Sequence, residues 1–257
     1  MMGLKGKWMF HRTLAMAGIG LVVSLNGCSP SPQVSPSQLG PSQPVSDSVW
    51  QNILVAAKIG SSASMYKLKF DVSISQGGTS SDLTGYGNVQ LPNRLWLMMV
   101  ESGNSAQLYQ QGSAAYAYDN GSWSQATPLK SVNLYQTYMS LIQAAQGQHI
   151  PLVQRNKQYV IDEYCSVYQA IIPSWLISSH PLWPGITDQE QGAALYTFYV
   201  GQQDHVLREV TTSSAVSQAP IGSMQVNSDL EMFGIGNSTS QVLLPPALIN
   251  QLENRHP

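Results

Sequence analysis

Ten consecutive residues, Tyr66 to Ser75, alternate without a break. Tyr66, Leu68, Phe70, Val72 and Ile74 are apolar, and Lys67, Lys69, Asp71, Ser73 and Ser75 are polar. Side chains of a strand point alternately to its two faces, so this period of two sets one oily face against one wet face. A strand of that kind belongs in an antiparallel sheet with one side on a core and the other on water.

The following segments keep to that grammar. Gln76-Gly77-Gly78-Thr79 turns the chain, and Leu83–Leu91 forms a second strand with Gly85 and Gly87 at alternate places. Two glycines on one face permit sharp curling or the close approach of another group. Arg94–Glu101 (RLWLMMVE) is apolar on both faces and has to be covered on both. Gln107–Gln111 and Ala114–Tyr118 follow as strands, and Asp119-Asn120-Gly121-Ser122 is a hairpin turn before Trp123. Further strands are expected at Ile150–Gln154, Tyr159–Ile171, Leu195–Val200, Val206–Ser213 and Met224–Ile235.

Helical spacing interrupts the strands. Asp47–Ile59 places Val49, Trp50, Ile53, Leu54 and Ala57 on one face, with Ser48 and Gln51 as a capping box and Gly60 as the stop. Leu134, Tyr135, Tyr138, Leu141, Ile142 and Ala145 mark a second helix, with Ser131 as N-cap and Gly147 as its end. Pro173–Gly185 reads as an irregular or short-helix insert, and a short helix closes the chain after Leu244-Pro245-Pro246. Many short-turned strands with few helices give an α+β fold with one large curled antiparallel sheet, the helices burying their apolar faces on its concave side.

The N-terminus carries an address. Lys5, Lys7 and Arg12 precede the apolar run Leu14–Leu25, and Leu25-Asn26-Gly27-Cys28 ends it. A basic head, a short apolar core and small residues at the cut describe an export signal. The run is about half the ~20 apolar residues needed to span a bilayer. LNGC resembles the bacterial lipobox, which makes Cys28 the lipidation site; Asn26 departs from the usual residue at that place. An ordinary export signal with a chance cysteine is the alternative. Ser29–Ser46 (SPSPQVSPSQLGPSQPVS) is too rich in Pro, Ser and Gln to bury a core and reads as a linker. The expected division is a signal peptide over 1–27, a lipidated cysteine and linker over 28–46, and a single domain over 47–257. The expected location is outside the cytoplasm, on the outer face of the cytoplasmic membrane in a Gram-positive cell.

Composition excludes several functions. Three of the 12 Lys and Arg fall in the signal, leaving nine against 14 acids, with no basic patch for nucleic acid. Cys165 is the only cysteine beyond Cys28, so the mature chain has no internal disulfide and Cys165 reads as a small buried apolar residue. His149, His180, His205 and His256 are too scattered to pair as metal ligands, and His205 beside Asp204 reads as a solvated turn pair. Asp162 and Glu163 are adjacent and, on a strand, point to opposite faces, so they do not form an acid–base pair. No nucleophile elbow, P-loop or dinucleotide fingerprint is present. The expectation is a non-enzyme without cofactor or metal.

The order of elements then matches a known layout. A lipobox, a Ser/Pro linker and a first helix lead to Tyr66-x-Leu68-x-Phe70-x-Val72. A Gly-rich strand ends in Leu91-Pro92-x-Arg94, and Tyr116-x-Tyr118-Asp119-x-Gly121-x-Trp123 precedes an amphipathic helix. A late hairpin and a last strand run into Leu244-Pro245. This resembles the LolA/LppX-like superfamily of half-barrel lipoproteins, over most of residues 47 to 250; the 173–185 insert has no match in it. The resemblance implies an incomplete β-barrel whose mouth is covered by helices, and an apolar hollow that holds acyl chains. Phe70, Val72, Trp96, Met98, Leu134 and Tyr138 are the residues expected to line that hollow. The expected partners are the membrane, through the Cys28 anchor, and a lipid or fatty-acyl ligand. The alternative is a tethered interaction or sensor module with a filled core and a membrane protein as its partner.

Overall fold

The structure, a computed structural model, describes residues 43–76, 78–119, 121–178, 192–218 and 222–253. The signal segment, Cys28, most of the linker, His180 and His256 lie outside these residues.

Among the described residues the strands are β1 Gln43–Val45, β2 Met65–Gln76, β3 Thr79–Gln90, β4 Arg94–Glu101, β5 Asn104–Gln111, β6 Ala114–Asp119, β7 Ser122–Ala126, β8 Leu152–Val160, β9 Glu163–Pro173, β10 Ala193–Gly201, β11 Leu207–Gln218 and β12 Gly222–Phe233. They form one sheet in the order β1-β8-β9-β10-β11-β12-β2-β3-β4-β5-β6-β7. Every neighbouring pair is antiparallel, and β1 and β7 are left as edges, so the curled sheet does not close into a barrel. Two hairpin meanders, β8–β12 and β2–β7, meet at the β12–β2 pair. This is the expected α+β curled sheet. β1 lies inside the stretch read as linker, and it pairs with β8 from Gln43↔Gln154 to Val45↔Leu152.

The alternation at Tyr66–Ile74 is realised in the register. Leu68 and Phe70 sit opposite Met232 and Leu230 on one side, and opposite Gly87 and Gly85 on the other. The row continues to Leu97 and Met99 on β4. A side chain at Gly85 would overlap the Phe70 ring, and one at Gly87 would meet the β4 backbone. The glycines therefore serve close approach, as their spacing predicted.

Helices α1 (Ser48–Ser62) and α2 (Leu134–Gly147) lie on this face. Trp50, Ile53, Tyr135, Tyr138, Leu141 and Ile142 fill the space between helices and sheet and are buried. Trp50 meets Phe198 edge-on at 5.8 Å, and Tyr66 meets Tyr135 at 5.1 Å. Polar pins fix the helices in place. Trp50 Nε1 donates to the Ile150 carbonyl (2.9 Å), and Tyr135 Oη donates to the Leu207 carbonyl (3.1 Å). Tyr66 Oη donates to the Val132 carbonyl (3.3 Å) and accepts from the Leu134 amide (3.1 Å). The polar tips of Trp50, Tyr66 and Tyr135 thus each have a partner, which is what makes burial of these amphipathic rings tolerable.

Four local expectations are corrected. Gly60 does not stop α1; it lies within the helix, where only its missing side chain leaves room for the Tyr135 ring. Ser48 does not cap; the N-cap is Asp47, which makes no side-chain cap bond. Asn133, not Ser131, caps α2 by accepting from the Gln136 amide, while Ser131 accepts from the Asn133 amide. Gly147 belongs to α2, and Gln148 follows as the C-cap. Within the insert, Ser174–Ser178 is a short helix, α3.

The opposite face of the β4–β7 wing carries a second core. The chain after β12 crosses it and ends in α4 (Pro246–Glu253), with Val242 and Leu248 buried against Tyr109 and Trp123. Gln251 clasps this helix to β7, accepting from the Trp123 amide (3.2 Å) and donating to its carbonyl (2.7 Å). The doubly apolar β4 is thus covered on both sides, by the main core and by the C-terminal segment.

Candidate functional site

The six residues expected to line one hollow do not share a face. Phe70 is buried under the helices, and Tyr138 is buried on α2 among Tyr66, Tyr196 and the sheet. Burial pushes the hydroxyl pKa values of Tyr66, Tyr138 and Tyr196 well up, so these phenols stay neutral. Val72 and Leu134 are partly buried at the margin of the same core. Trp96 and Met98 point the other way, because they pair with Asn88 and Tyr86 rather than with Gly87 and Gly85. Trp96 packs on the C-terminal core, and Met98 Sδ accepts from Tyr86 Oη at 3.0 Å. A strand that is oily on both faces cannot reveal which face is which; pairing register decides it.

The concave face has two parts. Towards the Met65 end of β2 it is filled by the helices. Towards the Gln76 end the same face runs on through Val72 and Ile74, with Leu83 on β3, Met99 on β4, and Met224 and Val226 on β12, all partly buried. Thr212, Ser214 and Ser228 interleave with them. The face therefore passes from a packed core into an apolar strip that the pinned helices do not seal.

A hollow of about 510 Å³ lies across β3, β2, β12 and β11, lined mainly from the opposite, wet face, with Val72, Thr212 and Ser228 of the concave row at its margin. Its register places Thr84, Asp71, Asp229 and Thr211 in one row and Asp82, Ser73 and Asn227 in the next. Beside it, Lys69 bonds Glu231 (2.8 Å) and Asp71 (3.4 Å). Glu209 is pushed up to about 8 by burial, and then by the charges of Asp229 and Glu231. Asp229 is raised by the same kinds of cause, and its Oδ1 is buried without a hydrogen-bond partner. The hollow brings the acids Asp71, Asp82 and Asp229 together with hydroxyl and amide side chains, and Val72 adds an apolar patch. Sequence reading missed this group, because its members come from separate strands and meet only through register.

A second polar group is structural. Arg208 Nε donates to Glu163 Oε1 (2.9 Å) and the guanidinium also pairs with Asp204; the Arg208 and Glu163 side chains are 16% and 6% exposed. Glu163 Oε2 accepts from the Gln203 amide (3.0 Å), and Asp204 Oδ1 from the Val206 amide (3.0 Å). The pairing of Asp204 with His205 is thus replaced by one with Arg208. Ile161 and Asp162 form the β8–β9 turn, both with positive φ, and Glu163 opens β9, so the two acids are not a strand pair. Burial pushes the Cys165 thiol up to about 12, which keeps it protonated and unreactive. Among the described residues no cluster of His, Cys, Asp and Glu is arranged to hold a metal ion.

No family model and no curated relative matches this chain. Solved structures do. LprF from Mycobacterium bovis superposes with a TM-score of 0.52 at 11% identity, over 80% of this chain and 99% of that one. The LolA superfamily protein NE2245 from Nitrosomonas europaea matches at 11% identity over 77% of this chain and 95% of that one, with a TM-score of 0.30. An open twelve-stranded antiparallel sheet, a central β2 joined to the last strand and two helices laid on one face lead to one conclusion: this chain has the LolA/LppX-like half-barrel fold.

Proposed function

We propose that this protein is a lipid-anchored, extracytoplasmic, non-catalytic carrier or sensor of a hydrophobic ligand, most simply an acyl chain. The observation that supports it is the partly buried apolar strip of Val72, Ile74, Leu83, Met99, Met224 and Val226 at the end of the concave face that the helices leave unsealed. Entry is at this end and not between helix and sheet, because the Trp50, Tyr66 and Tyr135 hydrogen bonds hold the helices down. A sixteen-carbon chain gains ~0.8 kcal/mol per buried CH₂, enough to offset association costs of ~4–15 kcal/mol. The anchor is Cys28, which brings the domain to a membrane surface.

The domain from Gln43 onward, expressed without its leader, is expected to bind a fluorescent fatty acid, and Ile74→Glu to abolish binding while leaving the fold intact. No binding by the unmodified domain, together with lipid-free organic extracts, would sink the carrier reading. The anchor is tested separately: Cys28→Ala should leave the full-length chain without a lipid modification detectable by mass spectrometry.

The second reading, an interaction module, draws on the fully packed core beneath the helices and on the polar hollow of the wet face. It would be favoured by a single crosslinked partner from intact cells combined with no fatty-acid binding.

A further inference from the structure

Few large apolar side chains of the described residues are strongly exposed, and two of them are a pair. Tyr159 and Tyr164 are 63% and 60% exposed and face each other across the tip of the β8–β9 hairpin, rings edge-on at 5.3 Å. The hairpin turns at Ile161 and Asp162. Aromatic rings this exposed at a hairpin tip lie outside the core, and their presence there calls for another surface.

The direction of the chain says which surface. β1 runs antiparallel to β8, with Gln43 opposite Gln154 and Val45 opposite Leu152. β1 therefore begins, at Gln43, on the side from which β8 runs on towards Tyr159. Antiparallel register carries that end across the molecule: Gly201 lies opposite Cys165, Phe233 opposite Lys67, and Met65 opposite Gln90. Leu243, 69% exposed, follows Val242, whose amide bonds the Gln90 side chain at this same end. Fourteen residues lie between Cys28 and Gln43, so the two are roughly 50 Å apart at most, when that stretch is fully extended.

We infer that the Tyr159–Tyr164 tip is a membrane-contact site, which seats the domain on the lipid surface that holds its own anchor. This rests on the Cys28 anchoring proposed above. A tyrosine ring suits the purpose because its body is apolar and its hydroxyl wet, the combination found at headgroup depth. The surrounding charge is mixed, with Lys157 and Asp162 both exposed, so the contact is aromatic rather than electrostatic and does not depend on anionic lipid. The diacylglyceryl group of a lipobox cysteine already supplies two acyl chains, so the tip's contribution is a weak second contact that fixes how the domain stands on the surface.

The test uses the full-length lipidated chain in phosphatidylcholine vesicles carrying brominated acyl chains. Cys165 is buried, so a cysteine introduced at Gln158→Cys, next to the tip, or at Asn104→Cys, at the opposite end of the sheet, is the accessible thiol for a fluorophore. Quenching of most of the emission at 158, with none at 104, is expected. It should fall to the level at 104 when Tyr159→Ser and Tyr164→Ser are combined, and be unchanged by added salt. Absent or equal quenching at the two sites, or quenching that survives the double substitution, overturns the inference. Flotation of the chain with the vesicles, and its loss in Cys28→Ser, reports on the anchor independently. A chain that floats with a dry tip retains the anchor and loses the contact site. A chain that does not float loses both.

Discussion

At the scale of single residues, the wet face of the sheet is where the chemistry is least neutral. Glu209, Asp229, Glu231 and Asp71 share one nearby ammonium, Lys69. Glu209 has an ordinary value of 4.5 and is raised to about 8 in the fold. A carboxyl that holds its proton more tightly when folded favours the fold when protonated. Its contribution is full below about pH 4.5 and is lost as pH rises through about 8. Asp229, also raised, adds a slope of the same sign. The melting temperature should therefore fall between pH 5 and pH 9, and Glu209→Gln should flatten that fall, stabilising at pH 9 with little change at pH 5. Differential scanning calorimetry across the range checks it. An unchanged slope in the variant would assign the effect elsewhere. The Arg208–Glu163 pair behaves differently, since both side chains are nearly enclosed and mutually satisfied. Removing one partner of such a pair strands the other, at a cost of about 3–5 kcal/mol. Arg208→Met should thus lower the melting temperature by roughly 6–20 °C, at ~2–4 °C per kcal/mol for a domain of this size.

At the scale of elements, α4 decides how the oily outer side of β4–β7 is handled. Leu248 is buried among Tyr109, Trp123 and Val242, and Gln251 fixes the helix to β7. Leu248→Ala should cost about 2–5 kcal/mol in denaturant unfolding, a range typical of buried leucines. Trp123→Phe should cost much less, since Trp123 Nε1 is already buried without a partner and its removal relieves an unmet donor. The alternation of β2 and the glycines of β3 could be read directly, because period two and a missing side chain are local properties. The caps could not: Asp47, Asn133 and the interior Gly60 take their places from what the helices rest on. Trp96 and Met98 were assigned to the wrong side for a related reason. RLWLMMVE has no polar face to orient it, and the C-terminal segment that covers its outer side is some 140 residues away in sequence.

At the scale of the whole molecule, the sheet joins early and late parts of the chain through β12 and β2, so the core under the helices draws on both. That core was legible as a set of apolar periodicities. The division of the concave face into a sealed part and an unsealed part was not, since it depends on where α1 and α2 end over the sheet. A ligand that binds only the folded state adds about 2.7 kcal/mol of stability at one hundred times its Kd. Palmitate at that excess should raise the melting temperature by roughly 5–10 °C. It should leave Ile74→Glu unmoved, and a shift of equal size in that variant would locate binding away from the strip.

The polarity of the sheet has one more consequence. The tyrosine tip and the apolar strip lie at opposite ends of the strands, and β2 alone, at 12 residues, spans about 40 Å. On the proposed anchoring, a domain standing on its tip would hold its mouth far above the bilayer, beyond the reach of a lipid still seated in that leaflet. If the domain is a carrier, cargo would then arrive from, or depart to, whatever lies across the gap. Loading from the home membrane would require the domain to topple, which would make lifting the tip a step in the traffic.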